Sequence, residues 1–418
     1  HNMSARLLKA IIFRKQSMRV EALRVLEKIL EVDPLNHAAR YEMYRLKRNP
    51  SALRAFQRMI RNEFPEETHL EISLFYVRLG LFKEAKELLG LVPEYPTACY
   101  WLAYLLRERD PQASQAWLDK ARGLSPWLVF PFREESIPVL EWASLAAPED
   151  WKPKYFLALI LWSRGRVSEA RDLLEACGNP EYGPFYLTRG HFYRTMDLSR
   201  ARRDFERAVA IDPHSWRSWH TLIRFLNDQS LFPEALENAR KAFQDWPEHV
   251  ALRIDFIRAL MGNGKYKEAA DILESTVVLP YEGATGVHNL FVLCHVHLAL
   301  EEMSRGAWEE ASLHLKKAKT YPEHLGTGRP YEPDQRMQDF LLALCCDNLG
   351  NKEQADKLRE NILAYTAEHG VRQNLHDYFA GWLLLQEGEE RKARELMRRA
   401  KPPRDLLQKI RSILRSHR

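Results

Sequence analysis

Ala201-Arg202-Arg203-Asp204-Phe205-Glu206-Arg207-Ala208 is answered 34 residues later by Ala235-Leu236-Glu237-Asn238-Ala239-Arg240-Lys241-Ala242. A further 34 residues on stands Ala269-Ala270-Asp271-Ile272-Leu273. Working outward, the same kind of alanine opens a helical stretch at Ala85, Ala170, Ala311, Ala355 and Ala393. Five residues ahead of six of these eight alanines lies a glycine: Gly80, Gly165, Gly264, Gly306, Gly350 and Gly388. Ala201, Phe205 and Ala208 are spaced four and three apart and share one helical face. A small residue there lets two helices approach, and a larger side chain is expected to overpack by about 1–3 kcal/mol. The glycines fit tight turns that need a positive φ. A period of this length predicts stacked helical hairpins, an all-α solenoid.

Composition agrees with that fold and narrows function. With 418 residues and 45% apolar content the chain can bury a large core. Length alone suggests two or three globular domains, but a solenoid grows by adding units and needs no single closed core. The 11 tryptophans supply bulky fillers between helix layers. A net charge of +5 is too small for this length to indicate a nucleic-acid partner. Cys99, Cys177, Cys294, Cys345 and Cys346 are odd in number and have no ligand-like spacing, which points to a reduced, cytoplasmic setting. No apolar run reaches 18 residues, so no membrane span is expected. The stretch from Arg6 to Arg14 reads as an amphipathic helix, without the cleavage site of a signal peptide.

Aligned on the alanines, the units resemble the tetratricopeptide repeat family. Trp219, Leu222, Leu226, Ala235, Ala239, Ala242 and Pro247 follow that family's pattern in order. Ala201, Phe205, Ala208 and Pro213 repeat its second half, as do Ala22, Leu26, Ile29 and Pro34. The resemblance implies a right-handed superhelix of about eleven hairpins closed by a capping helix. Residues 1–3 read as a vector-derived remnant and 4–124 as irregular units, with Pro50 and Asp110-Pro111 shortening two of them. A joint with its own short helix at Ile137–Leu145 is expected over 125–150, where Trp127, Phe130 and Phe132 interrupt the period. Regular units follow over 151–278, and units with long inserted loops over 279–403. Residues 404–418 form a basic amphipathic helix that carries Leu406, Leu407, Ile410, Ile413 and Leu414 on one stripe.

In that family, ligands lie along the first helix of each hairpin. Carried onto this sequence, the resemblance nominates Lys152, Tyr155 and Trp162, then Tyr186, Tyr193 and Arg194, then Arg217, His220 and Arg224, and finally Arg258. Such an aromatic and cationic row suits an acidic peptide or the hydroxyl-rich faces of a sugar. The ordinary alternative is half-buried or solvated surface. The paired Lys and Asn of chaperone-binding members are missing, so a chaperone tail is not the expected partner. Two inserts, 279–286 and 321–331, add Tyr281, Glu282, Arg329 and Tyr331, because insertions in repeat arrays collect on one edge and carry binding.

Chemistry-bearing motifs are absent. Gly326-Thr327-Gly328-Arg329 lacks the flanking strand and the lysine of a phosphate loop. Cys294, His295 and His297, with His288 upstream, fall short of a tetrahedral ligand set, and helix packing is the plainer reading. Cys345 and Cys346 sit in an apolar run and read as core. No metal, cofactor or catalytic residue is expected, and the chain reads as a non-enzymatic scaffold for a protein or peptide. Its oligomeric state is left open.

A narrower resemblance rests on Leu128-Val129-Phe130-Pro131-Phe132-Arg133, Asp150-Trp151-Lys152, Leu279-Pro280-Tyr281-Glu282-Gly283-Ala284 and the stretch from Pro322 to Asp334. From about Ser125 to Cys346 the chain is similar to the C-terminal helical arm of large bacterial proteins whose N-terminal region is β-rich, galactose-mutarotase-like and carbohydrate-associated. That resemblance implies a second reading, the accessory arm of a carbohydrate-active enzyme. The catalytic domain would then lie outside this sequence, and the inserts would pack against it.

Overall fold

The computed structural model describes residues 2–281, 285–370, 375–399 and 404–416, and among these there are helices and no strands. The chain divides into two units, His1–Glu181 and Tyr182–Arg418. In the first, Met3–Lys15 pairs with Arg19–Val32, His37–Lys47 with Pro50–Gln57, Pro65–Arg78 with Phe82–Leu89, Pro96–Leu106 with Pro111–Gly123, and Trp151–Ser163 with Val167–Ala176. Between the last two hairpins, Ile137–Ala146 stands as a single helix packed on Pro96–Leu106 and Trp151–Ser163. The stretch 125–150 therefore lies inside the first unit, and the division falls later, after Glu181.

In the second unit, Gly183–Tyr193 pairs with Leu198–Ile211, Trp216–Asp228 with Phe232–Asp245, and Val250–Gly262 with Tyr266–Glu274. Gly286–Ser304 then pairs with Trp308–Ala318, Arg336–Asn348 with Lys352–His369, and Leu375–Gln386 with Glu390–Arg399. The first helices of neighbouring hairpins touch as well, from Gly183–Tyr193 through Trp216–Asp228 and Val250–Gly262 to Gly286–Ser304. They form a continuous row.

Each of the eight repeated alanines is the fourth residue of its second helix, and each is fully buried. All six glycines adopt positive φ, between 69° and 82°. At Gly80, for example, the amide of Leu81 reaches back to the carbonyl of Tyr76 at 2.9 Å, which closes the first helix in a Schellman motif. A Cβ at Gly80 or Gly264 would meet nothing within 4 Å, so backbone conformation, and not space, selects glycine there. Ser17 and Ser230 take the same place ahead of Ala22 and Ala235, with φ of 63° and 58°. The prolines that shorten early units start second helices. Pro50 and Pro111 follow the N-caps Asn49 and Asp110, whose side chains accept from Ala52 and Ala113 amides.

The first unit holds a buried ionic network. Glu42 accepts from Arg14 Nε at 2.5 Å and from the Tyr76 hydroxyl at 2.6 Å. Glu84 receives Arg14 at 3.2 Å and Lys15 at 2.7 Å, so three hairpins are tied through two carboxylates. In the second unit, Leu406, Ile410 and Ile413 of the C-terminal helix are buried in one core cluster with Val296, Phe340, Phe379 and Leu396. That helix, Arg404–Ser416, packs on Gly286–Ser304, well upstream of the last hairpin.

Candidate functional site

The row of first helices in the second unit brings three of the nominated residues together, Arg194, His220 and Arg224. Gly183–Tyr193 ends with His191 and Arg194 three residues apart, hence on one face. The next first helix presents His220, Thr221 and Arg224, and the intervening second helix contributes Phe205. Together with Phe225 these residues line a cleft of about 160 Å³. Its floor is aromatic. Phe205 lies 5.3 Å from Phe225 and 5.2 Å from the His191 ring, both edge-on.

Charge in the cleft is partly spent within the protein. Arg194 Nη2 donates to Asp228 at 2.5 Å, and His220 Nδ1 lies 2.5 Å from the buried Asp255 carboxylate. Asn227 Nδ2 donates to the Asp255 carbonyl at 3.0 Å, which fixes neighbouring first helices to each other. Desolvation in the cleft lowers the His191 pKa, and the Arg194 and Arg224 guanidinium groups add to the effect, so its ring favours the neutral form. Arg224 is exposed and, among the described residues, in no ion pair. Arg217, also exposed, stacks 4.5 Å from the Trp216 ring, which in turn lies 4.1 Å from His249. Arg258 is exposed one hairpin further on.

Four nominated residues belong to the core instead. Lys152 is buried, donates to the Arg122 carbonyl at 2.6 Å and lies 3.4 Å from Asp150. Tyr155 is buried against Trp151, Tyr186 is buried beneath Arg189, and buried Tyr193 accepts from Arg200 at 3.2 Å. Their helices are covered on nearly every side, so an inward register position is not an accessible one. Trp162 is half-buried near the end of Trp151–Ser163. His191, Phe205 and Phe225 line the cleft from positions that the family resemblance does not mark. For His191 the available signal was its spacing of three from Arg194.

The two inserts meet. Val278 donates its amide to the His324 carbonyl at 2.8 Å, and Gly326, with φ of 67°, packs on the Val278–Leu279 peptide. A Cβ at Gly326 would come 2.5 Å from the Val278 oxygen. The joined loops expose Tyr281 at 68% and Tyr331 at 98%, beside exposed Arg329. Glu282 lies outside the described residues.

Histidines upstream of the second insert are packing groups. His288 stacks on Tyr321 at 4.1 Å and His297 on Tyr266 at 4.2 Å, while His295 and His314 approach through their Nδ1 atoms at 3.2 Å. Cys294 and Cys345 are buried, and burial raises both thiols to about 12. Among the described residues no three His, Cys, Asp or Glu side chains are grouped to hold a metal, and no helix is long and apolar enough to cross a membrane.

Residues 132–184 and 227–277 each match a family of known proteins. Both matches are to the tetratricopeptide repeat. The second of them runs from the end of the cleft-forming helix Trp216–Asp228 through the following hairpin. No curated protein matches the sequence. Among solved structures, the chain is similar to YrrB, a tetratricopeptide repeat protein with an unusual peptide-binding site. Identity is 15%, over 43% of this chain and 84% of that one, with a TM-score of 0.31. It is also similar to pilF of Pseudomonas aeruginosa, at 15% identity over 51% and 91% of the two chains, with a TM-score of 0.32. Similarity to a monomeric mutant of IFIT1 with Gppp-AAAA extends over 96% of this chain and 90% of that one, at 15% identity and a TM-score of 0.32.

Proposed function

We propose that this chain is a non-catalytic scaffold that receives a polypeptide along the first helices of its second unit. The observation that carries the reading is the placement of Arg217, Arg224 and Arg258, exposed on two successive first helices and next to a formed cleft. Exposed guanidinium forks that, among the described residues, make no ion pair suit backbone carbonyls and acidic groups of an extended partner. The test is capture by the full chain against an Arg217→Glu/Arg224→Glu variant with unchanged helical circular dichroism. The reading expects the variant to lose the partner; equal capture retires it.

A second reading makes the joined inserts a docking platform for a separate, carbohydrate-associated domain. It is favoured by the Val278–His324 hydrogen bond, which holds Tyr281 and Tyr331 outward on one loop pair. Exposed aromatic residues of this kind mark contact surfaces. Tyr281→Ser/Tyr331→Ser should then abolish contact with that domain and leave peptide capture by the second unit intact; a variant that keeps the contact sinks this reading.

A further inference from the structure

We infer that the cleft between His191, Arg194, His220 and Arg224 receives a single acidic side chain, an aspartate or glutamate within the bound polypeptide. The inference rests on the scaffold reading above and names what its partner must carry.

Size, floor and charge converge on that ligand. About 160 Å³ holds one side chain and little more; an engineered cavity of ~150 Å³ holds one benzene. The Phe205 and Phe225 rings pack the methylene part of such a side chain and leave only its end to the cations. Of those cations, Arg194 is already matched by Asp228. His220 Nδ1 faces the buried Asp255 carboxylate at 2.5 Å, so that ring is engaged within the protein. Among the described residues, Arg224 is the cleft's arginine without an acidic partner. One negative charge balances it, and the planar guanidinium accepts a carboxylate through two parallel N–H groups. A phosphate dianion would bring a second charge with nothing opposite it. A backbone terminus is not required, which separates this cleft from a clamp for a terminal carboxylate.

The experiment pans a random peptide display library, fused at its C-terminal end, on the full chain at neutral pH. Enriched sequences are expected to share one Asp or Glu at a common position. In synthetic amidated versions, Glu→Gln or Asp→Asn should weaken binding about tenfold or more, as for a charge-assisted pair. Arg224→Gln should cost the same and make the chain indifferent to that swap, while Arg224→Lys should restore part of the preference. Enrichment without a shared acidic position, or a swap without effect, overturns the inference and leaves the scaffold reading standing. Phosphoserine binding more tightly than glutamate at that position overturns the single-charge assignment. If no sequence is enriched, the scaffold reading falls and the inference with it.

Discussion

Gly190 lies directly against the Phe205 ring: a Cβ built on Gly190 would come 2.5 Å from Phe205 Cε1 and 2.7 Å from Cδ1. Phe205 is fully buried and also floors the cationic cleft, so the crossing of two helices sets the position of the site's base. Gly190→Ala therefore forces ring or helix to move. Overpacking of this kind costs about 1–3 kcal/mol, measurable as a lower urea midpoint. Gly264→Ala should also destabilise, by about 1 kcal/mol, for a different reason: its surroundings are open but its φ is 72°. Asparagine separates the two causes. Gly264→Asn should recover stability because Asn tolerates the left-handed region, whereas Gly190→Asn should be worse than Ala.

Glu42 should be the costliest single carboxylate in the first unit. It is fully buried and holds Arg14 and the Tyr76 hydroxyl, and Tyr76 is pushed well above its usual pKa by burial. Glu42→Leu leaves Arg14 only its longer contact to Glu84 at 3.2 Å, and breaking a buried pair from one side costs about 3 kcal/mol or more. Arg14→Met/Glu42→Leu should return most of that loss, because replacing both partners removes the uncompensated charge. Denaturant unfolding of the single and double variants measures the difference. A double variant as unstable as Glu42→Leu would place the cost in packing alone.

Much of the architecture was legible because the repeat is local. Ala85, Ala170 and their counterparts mark helix crossings through size alone, and Gly165 or Gly306 marks a turn through φ alone. Ser17 and Ser230 adopt the same turn with a residue type that gives no such signal. The cleft was half legible. Arg194, His220 and Arg224 follow from the 34-residue register, while Lys152 and Tyr186 shared that register but are covered by their neighbours. Coverage is a long-range property: Lys152 is spent on the carbonyl of Arg122, 30 residues away. The same holds for the Arg14–Glu84 contact, which spans 70 residues and leaves no trace in local charge patterning.

Acid should loosen the second unit before it denatures the chain as a whole. Burial lowers His295 from 6.5 to about 4, with Lys317 and His314 adding to the effect. The folded state thus favours the neutral ring, and the unfolded chain binds the extra proton between those values. Stability from this group is fully present above about pH 6.5 and is lost as pH falls towards 4, up to about 3 kcal/mol. His295→Leu should flatten that part of the stability profile, though not wholly, since burial also lowers His314 and His376. An unchanged slope in urea unfolding across this range would remove His295 from the account.

Gly326 tests whether the inserts are one structure or two loops. Its positive φ and its approach to the Val278 oxygen leave no room for a side chain, so Gly326→Ala is strained in conformation and in space at once. The least costly relief is to part the loops, which breaks the Val278–His324 hydrogen bond and leaves the helices beneath untouched. Amide exchange at Val278 should then accelerate about tenfold or more, the loss of roughly 1.4 kcal/mol of local protection. Amides in the second half of Gly286–Ser304 should keep theirs, because Val296 and Leu300 are buried in one cluster with Leu315 and Phe340, to which neither insert contributes. Acceleration throughout that helix would show instead that the joined inserts brace the hairpin below them. Unchanged exchange at Val278 would show that the contact contributes nothing to the platform carrying Tyr281 and Tyr331.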